Sequence, residues 1–133
     1  MDVATKERIT AHLATRIPGL RAVYLYGSQA SGEAGPNSDV DLAVRAEEPL
    51  DPMTRYAIAG ELAEQLGREV DLVDLSAVTT VFRARIITGG ECLHGPGDNA
   101  DYEARALSDY ARLNEERKAI LADITERGSI HGR

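Results

Sequence analysis

Two aspartates, Asp39 and Asp41, stand two residues apart in a run that is otherwise apolar and continues through Leu42, Ala43 and Val44. On a strand, residues at that spacing project from one face and lie roughly 6–7 Å apart along the backbone. Carboxylates that close repel each other, so the pair either raises a pKa or recruits a cation. A hard divalent ion such as Mg2+ suits carboxylate oxygens and is commonly shared with substrate phosphates. Two such ions about 3.5–4 Å apart can clamp the attacking and leaving oxygens of a phosphoryl transfer. The phosphate side of such chemistry lies upstream, where Gly27-Ser28 precede Asp39 by ten intervening residues. Gly27 lets backbone N–H groups approach a phosphate with no side chain in the way. Ser28 adds a hydroxyl donor, and a helical turn starting there would present free N–H groups to an anion. Gly32 and Gly35 permit a tight return to the second strand.

A third carboxylate on a neighbouring strand would complete a metal site or deprotonate an attacking hydroxyl. The stretch Glu69-Val70-Asp71-Leu72-Val73-Asp74-Leu75 offers Asp71 and Asp74. Asp71 sits in mid-strand between Val70 and Leu72, where a carboxylate is costly to bury without a cation. Asp74 lies near the strand end, where a turn or cap role would explain it. Asp71 is therefore favoured. Gly-Ser alone carries no signal, and an isolated Asp-x-Asp is often a solvated strand edge. What is specific is the order: strand, Gly-Ser, ten residues, Asp-x-Asp in an apolar strand, then an acid in a later strand.

These residues need a small frame of strands and helices. Apolar spacing predicts a helix over residues 3–16, ended by Pro18-Gly19. A buried strand follows over 21–26, then the loop 27–38 with one helical turn near Ser28–Ser31, and a second strand over 39–45. There Val40, Leu42 and Val44 face one way and Asp39, Asp41 and Ala43 the other. A second main helix is expected over 53–66, with Ile58, Leu62 and Leu66 inward and Gly67 as its cap. A third strand over 69–75 leads to a helix over 78–88 with Val81, Ala84, Arg85 and Thr88 along one side. Cys92-Leu93-His94 make a short edge strand. A long helix runs from about Asp98 to Arg127, capped by Asp98 or Asn99 and stopped by Gly128. Its stripe of Tyr102, Leu107, Tyr110, Leu113, Leu121 and Ile124 either packs on the sheet or is left in part for a partner. The expected organisation is a single α/β domain over 1–128, a small mixed sheet flanked by helices, with a flexible tail over 129–133.

The chain has 133 residues, enough for one domain with a real core. It carries five Tyr, one Phe and no Trp, so that core rests on Leu, Ile, Val and Ala. A net charge of −7 argues against general nucleic-acid binding, which needs clustered Lys and Arg. The single cysteine, Cys92, forbids an internal disulfide and fits a reducing compartment. With no signal-like N-terminus and no membrane-length apolar window, a cytoplasmic location is expected. Arg83 and Arg85 do not share a helix face; one could reach a triphosphate or an acidic partner, and otherwise both are solvated. His12, His94 and His131 are scattered without metal-ligand spacing.

Tyr26-Gly27-Ser28-Gln29-Ala30-Ser31-Gly32 followed by Ser38-Asp39-Val40-Asp41-Leu42-Ala43-Val44 resembles the signature of the DNA-polymerase-β-like nucleotidyltransferase superfamily. It is similar in particular to the minimal nucleotidyltransferases called MNT, and the likeness extends through Val70–Leu75 to the final helix. The resemblance implies the nucleotidyltransferase fold, Mg2+ and a nucleoside triphosphate, with ATP as substrate. By position it implies Asp39 and Asp41 as the metal-binding pair, Asp71 as the third acid, and Gly27 and Ser28 as phosphate-holding residues. Members of the minimal group are commonly antitoxins of HEPN-domain ribonuclease toxins, and some transfer AMP from ATP to a tyrosine of the toxin. The implied partner is thus a HEPN toxin, in a homo- or hetero-oligomer. A small-molecule transferase like the aminoglycoside-modifying relatives is less favoured, because those usually carry a second substrate-binding domain. An antitoxin acting by binding alone is disfavoured by the intact acids.

Overall fold

Asp2 starts the fold by accepting the Thr5 N–H at 2.9 Å, which caps α1 (Val3–Arg16). Ile9 and Leu13, one helical turn apart, are fully buried on its inner face, and Ile17 extends them. Pro18-Gly19 turn the chain into β1 (Leu20–Tyr26), whose apolar run from Ala22 to Leu25 is buried. The structure is a computed structural model and describes residues 1–32, 35, 38–95, 97 and 99–130, less the side chains of Ser31 and residues 127–130. After β1 comes the expected single turn, α2 (Ser28–Ser31), followed by β2 (Val40–Ala46). β2 starts one residue later than its apolar pattern suggests, which leaves Asp39 in the loop.

Asp51 caps α3 (Pro52–Leu66) by accepting the Thr54 N–H, Pro52 opens its first turn, and Gly67 closes it in the left-handed conformation. β3 (Val70–Asp74), α4 (Thr80–Gly89), β4 (Glu91–His94) and α5 (Ala100–Ile130) complete the order. Among the described residues one sheet forms, in the order β3-β2-β1-β4. β1 is antiparallel to both β2 and β4, and β2 is parallel to β3. α3 is the crossover that the parallel pair requires. This is the mixed α/β sheet that the sequence implies.

Strand parity divides the core. Val23, Leu25, Val40, Leu42, Val44 and Leu72 pack against α1 and α3 through Ile9, Leu13, Ile58 and Leu62. On the opposite face Ala22, Tyr24 and Ala43 meet Leu75, Ile86, Ile87 and Ala106 from the α4 and α5 side. Asp41 shares that second face with Ala43. Tyr24 is almost wholly buried there, so its hydroxyl needs partners. It donates to Glu103 Oε1 at 2.7 Å and accepts from the Asn99 side-chain amide, which fastens the start of α5 beneath the sheet.

Three details differ from the sequence reading. The buried residues of α4 are Ala84, Ile86 and Ile87, while Arg85 and Thr88 are exposed. Apolar residues lie nearly all round this helix, so their spacing did not single out a face. α5 continues past Gly128 to Ile130, because a lone glycine weakens a helix without ending it. Asn99 precedes α5, but its side chain serves the Tyr24 network rather than a cap; Asp98, like His131, lies outside the described residues. Half the α5 stripe is used: Tyr102, Tyr110 and Leu113 are partly buried, whereas Leu107, Leu121 and Ile124 are exposed, as is Ile120 outside the stripe. Among the described residues no helix is long and apolar enough to cross a membrane.

Candidate active site

Register brings the candidate acids together. Asp41 of β2 lies opposite Tyr26 of β1 on one side and opposite Asp71 of β3 on the other. Asp39 sits two residues before Asp41 at the mouth of the strand and is exposed. Gln29 of α2 is buried and reaches the carbonyls of Ser38 and Asp39 with its side-chain amide, at 3.4 and 3.5 Å. It thereby ties the loop to the strand entry that carries Asp39. Gln29 was not singled out from the sequence; a long amide inside a glycine-rich loop was the available signal.

Gly27 occupies the closest approach between loop and acid. Its φ of 70° is left-handed, which a side chain resists. A Cβ built there would collide with Asp41 Oδ2. The loop backbone can therefore lie against the carboxylate only because residue 27 has no side chain. Gly32 also takes a left-handed φ, at the end of α2, and turns the chain back towards β2.

The charge arrangement is unbalanced towards the negative. The Asp41 carboxyl is held above its usual range by burial first, then by Asp71 and by Asp39. The Tyr26 hydroxyl is pushed up to about 12 by burial and by the same two strand acids, Asp71 and Asp41. Tyr26 also meets Phe82 of α4 edge-on, with ring centroids 5.7 Å apart. This aromatic pair walls the site on the α4 side. It was not legible from residue spacing, because it joins elements 56 positions apart in sequence, from 26 to 82.

Asp74 is built differently. It is buried and accepts from the Leu50 N–H at 2.8 Å, the Ser76 N–H at 2.9 Å and the Ser76 hydroxyl at 2.8 Å. Those bonds saturate it as a turn anchor, whereas Asp71 is exposed beside Asp41. Arg83 is likewise occupied: it donates to the carbonyls of Leu75 and Val78 at 3.0 and 3.1 Å, and so holds the turn after β3. His12 of α1 is taken up by Glu61 and Gln65 of α3.

The donor set fits a hard divalent cation. Asp41 is repelled by Asp71 and by Asp39, and among the described residues none of the ion pairs takes in Asp39, Asp41 or Asp71. Equally, among the described residues no group of three acidic, histidine or cysteine side chains is drawn tight enough to cage an ion by itself. That agrees with Mg2+-type sites that use one or two carboxylates and complete the shell with water and substrate phosphates.

A glycine-gated loop beside strand acids, on a β3-β2-β1-β4 mixed sheet, defines a nucleotidyl-transfer domain. Residues 7–98 match the family described as polymerase beta, nucleotidyltransferase, and the chain belongs to that family. Its relatives include the protein adenylyltransferase MntA of Shewanella oneidensis, 37% identical over 125 residues, spanning 93% of this chain and 90% of that protein. A crystal structure of a toxin–antitoxin complex with AMP-PNP contains a chain 37% identical, matched with a TM-score of 0.81 over 90% of this chain and 98% of that one. A structure of the tri-AMPylated Shewanella oneidensis HEPN toxin with its MNT antitoxin matches at 34% identity and a TM-score of 0.78, over 94% of this chain and 99% of the other.

Proposed function

We propose that the chain is an antitoxin of the MNT type: an ATP-dependent protein adenylyltransferase that transfers AMP to a tyrosine of a HEPN ribonuclease toxin and so silences it. The observation that carries the chemistry is the Asp41–Asp71 pairing beside the Gly27 turn. The acceptor follows from the relatives, one named a protein adenylyltransferase and others held in complexes with a toxin, including an AMPylated one.

In this reading Gly27 and Ser28 hold the triphosphate, and Asp39, Asp41 and Asp71 hold Mg2+, as two ions. Bound there, the metal supplies the positive charge that neutralises phosphate oxygens. Asp71 is the most open of the strand acids and serves as general base. It takes the proton of the acceptor hydroxyl as that oxygen attacks the α-phosphorus. The bond from the α-phosphorus to the bridging oxygen breaks, and pyrophosphate leaves with its electron pair. Gly27 keeps the loop backbone close to Asp41, while Tyr26 and Phe82 close one wall against water. In this reading the protein works in the cytoplasm, where ATP is available.

Incubation of the chain with a HEPN toxin partner, Mg2+ and ATP tests this directly. Label in the α-phosphate must pass to the toxin and label in the γ-phosphate must not. Retention of the γ label would show phosphorylation instead, and no transfer to an active toxin would overturn the reading. Transfer only to small aminocyclitols would favour a drug-modifying enzyme.

A further inference from the structure

Two guanidinium groups converge at the far end of β2. Arg45 follows Asp41 by four residues on the same face of the sheet, about 13 Å further along the strand. Ala43 lies between them, buried against Leu75, Ile86 and Ala106, so packed core separates this place from the acids. Arg83 arrives from α4. With Tyr102 of α5, Asp74 and Ser76, the two arginines line a cavity of about 180 Å3. It opens between the end of β2, the turn after β3 and the start of α5.

Neither arginine is matched by an acid. Arg45 lies over the Tyr102 ring at 4.5 Å from its centroid and donates to the Asn99 side-chain oxygen at 3.0 Å. Arg83 gives two N–H groups to the carbonyls of Leu75 and Val78. A guanidinium carries five such donors, so both retain capacity. The carboxylate in the lining, Asp74, is engaged by the Leu50 N–H and by both Ser76 donors. Among the described residues no ion pair takes in Arg45, Arg83 or Asp74, whereas Arg16 is paired with Glu61. Half-buried cations without an anion are costly to keep. The Tyr102 hydroxyl is pushed up by burial, against the pull of Arg83 and Arg45 and with that of Asp74. It therefore stays protonated at neutral pH, a third donor between the two cations.

A carboxylate is satisfied by one guanidinium fork. A phosphate is tetrahedral, carries close to two charges and offers oxygens to two forks and a hydroxyl at once. We propose that the cavity between Arg45, Arg83 and Tyr102 is a second oxyanion site, which binds a phosphate group either free or as a monoester. It goes beyond the transferase reading and does not depend on it, since it uses neither the strand acids nor the Gly27 loop. Arg83 adjoins Phe82 of the active-site wall, so the two sites share α4.

Thermal melts of metal-free protein at neutral pH test the site without ATP, toxin or Mg2+. Inorganic phosphate, ribose 5-phosphate and acetate are added in turn at matched ionic strength. Phosphate is expected to raise the melting temperature of wild type saturably, and acetate at the same concentration is not. Arg45→Met keeps an apolar stem over Tyr102 and removes the charge; it should weaken phosphate about tenfold or more. Tyr102→Phe keeps the ring and should weaken phosphate about fivefold. It decides the matter if loss of the Arg45 bond to Asn99 unsettles the fold. Arg8→Met, which removes an exposed charge on α1, should leave phosphate affinity as in wild type. Stabilisation by ribose 5-phosphate as well assigns a monoester, and by phosphate alone the free ion. No shift with phosphate, an equal shift with acetate, or phosphate affinity unchanged in Arg45→Met and Tyr102→Phe overturns the site.

Discussion

Asp41 and Asp71 are paired residues on adjacent parallel strands, set at the same level of the sheet on the side that bears Tyr26. Neither can be moved without sliding a strand, since a slip of one residue in either strand would send its own carboxylate to the opposite face. The fold therefore holds two like charges together by backbone register.

The first consequence separates the two aspartates of β3. Asp71→Asn should leave stability within about 0.5 kcal/mol, as for an exposed side chain, while transfer falls by about 100-fold or more through loss of the base. Asp74→Ala should do the reverse. It removes the acceptor of the Leu50 N–H and of both Ser76 donors, at a cost of about 1–3 kcal/mol, with kcat near the wild-type value. Chemical denaturation and toxin-transfer kinetics on the same preparations decide it.

The Gly27 turn is a second point of failure. Gly27→Ala places a Cβ at a φ of 70° and against the Asp41 carboxylate. The backbone term alone is about 1–3 kcal/mol, and the contact is relieved by displacing the loop or the Asp41 carboxylate, either of which disturbs the site. Calorimetric titration should then show AMP-PNP bound at least about tenfold more weakly. An unchanged affinity would mean that the loop does not hold the nucleotide.

Stability and pH give a third test. The folded carboxyl of Asp41 sits above its unfolded value of 3.8. Its contribution therefore favours folding below that value, and is lost as pH rises through the raised folded value. At neutral pH the metal-free chain carries an uncompensated charge there. Asp41→Asn should raise the melting temperature of metal-free protein at about pH 7 by roughly 1–3 °C, and should not raise it at about pH 3. Mg2+ with AMP-PNP should stabilise wild type and leave Asp41→Asn largely unmoved.

Much of this frame could be read before the fold was seen, and the reasons are local. Alternation gave the direction of Asp41, and Gly67 marked the end of α3. The preference for Asp71 over Asp74 rested on strand position, and Asp74 does anchor a turn through Leu50 and Ser76. What escaped the sequence depends on distant elements meeting. The contact of Phe82 with Tyr26, the reach of Gln29 to Ser38 and Asp39, and the capture of Arg83 by the carbonyls of Leu75 and Val78 have no signature in spacing. The faces of α4 escaped because apolar residues surround it. The end of α5 escaped because a glycine near a helix terminus marks a stop only when the next residues cannot continue the helix.

The exposed distal half of α5, with Ile120, Leu121 and Ile124 outward, belongs to the same account. A solvent-facing apolar stripe on a helix that outruns its domain costs little to alter. Leu121→Ser with Ile124→Ser should change stability by less than about 0.5 kcal/mol per site. Denaturant midpoints check this, and a larger loss would mean that the stripe packs within the chain.

The central claim is that Asp41 and Asp71 drive transfer of AMP to a toxin. It is tested most directly by the intact mass of a HEPN toxin recovered after co-expression with wild type, Asp41→Asn or Asp71→Asn. The account predicts toxin heavier by whole adenylyl groups with wild type, and toxin of unmodified mass with either variant. Unmodified toxin that is nonetheless silenced by the wild-type chain, or equal modification by the variants, would contradict it.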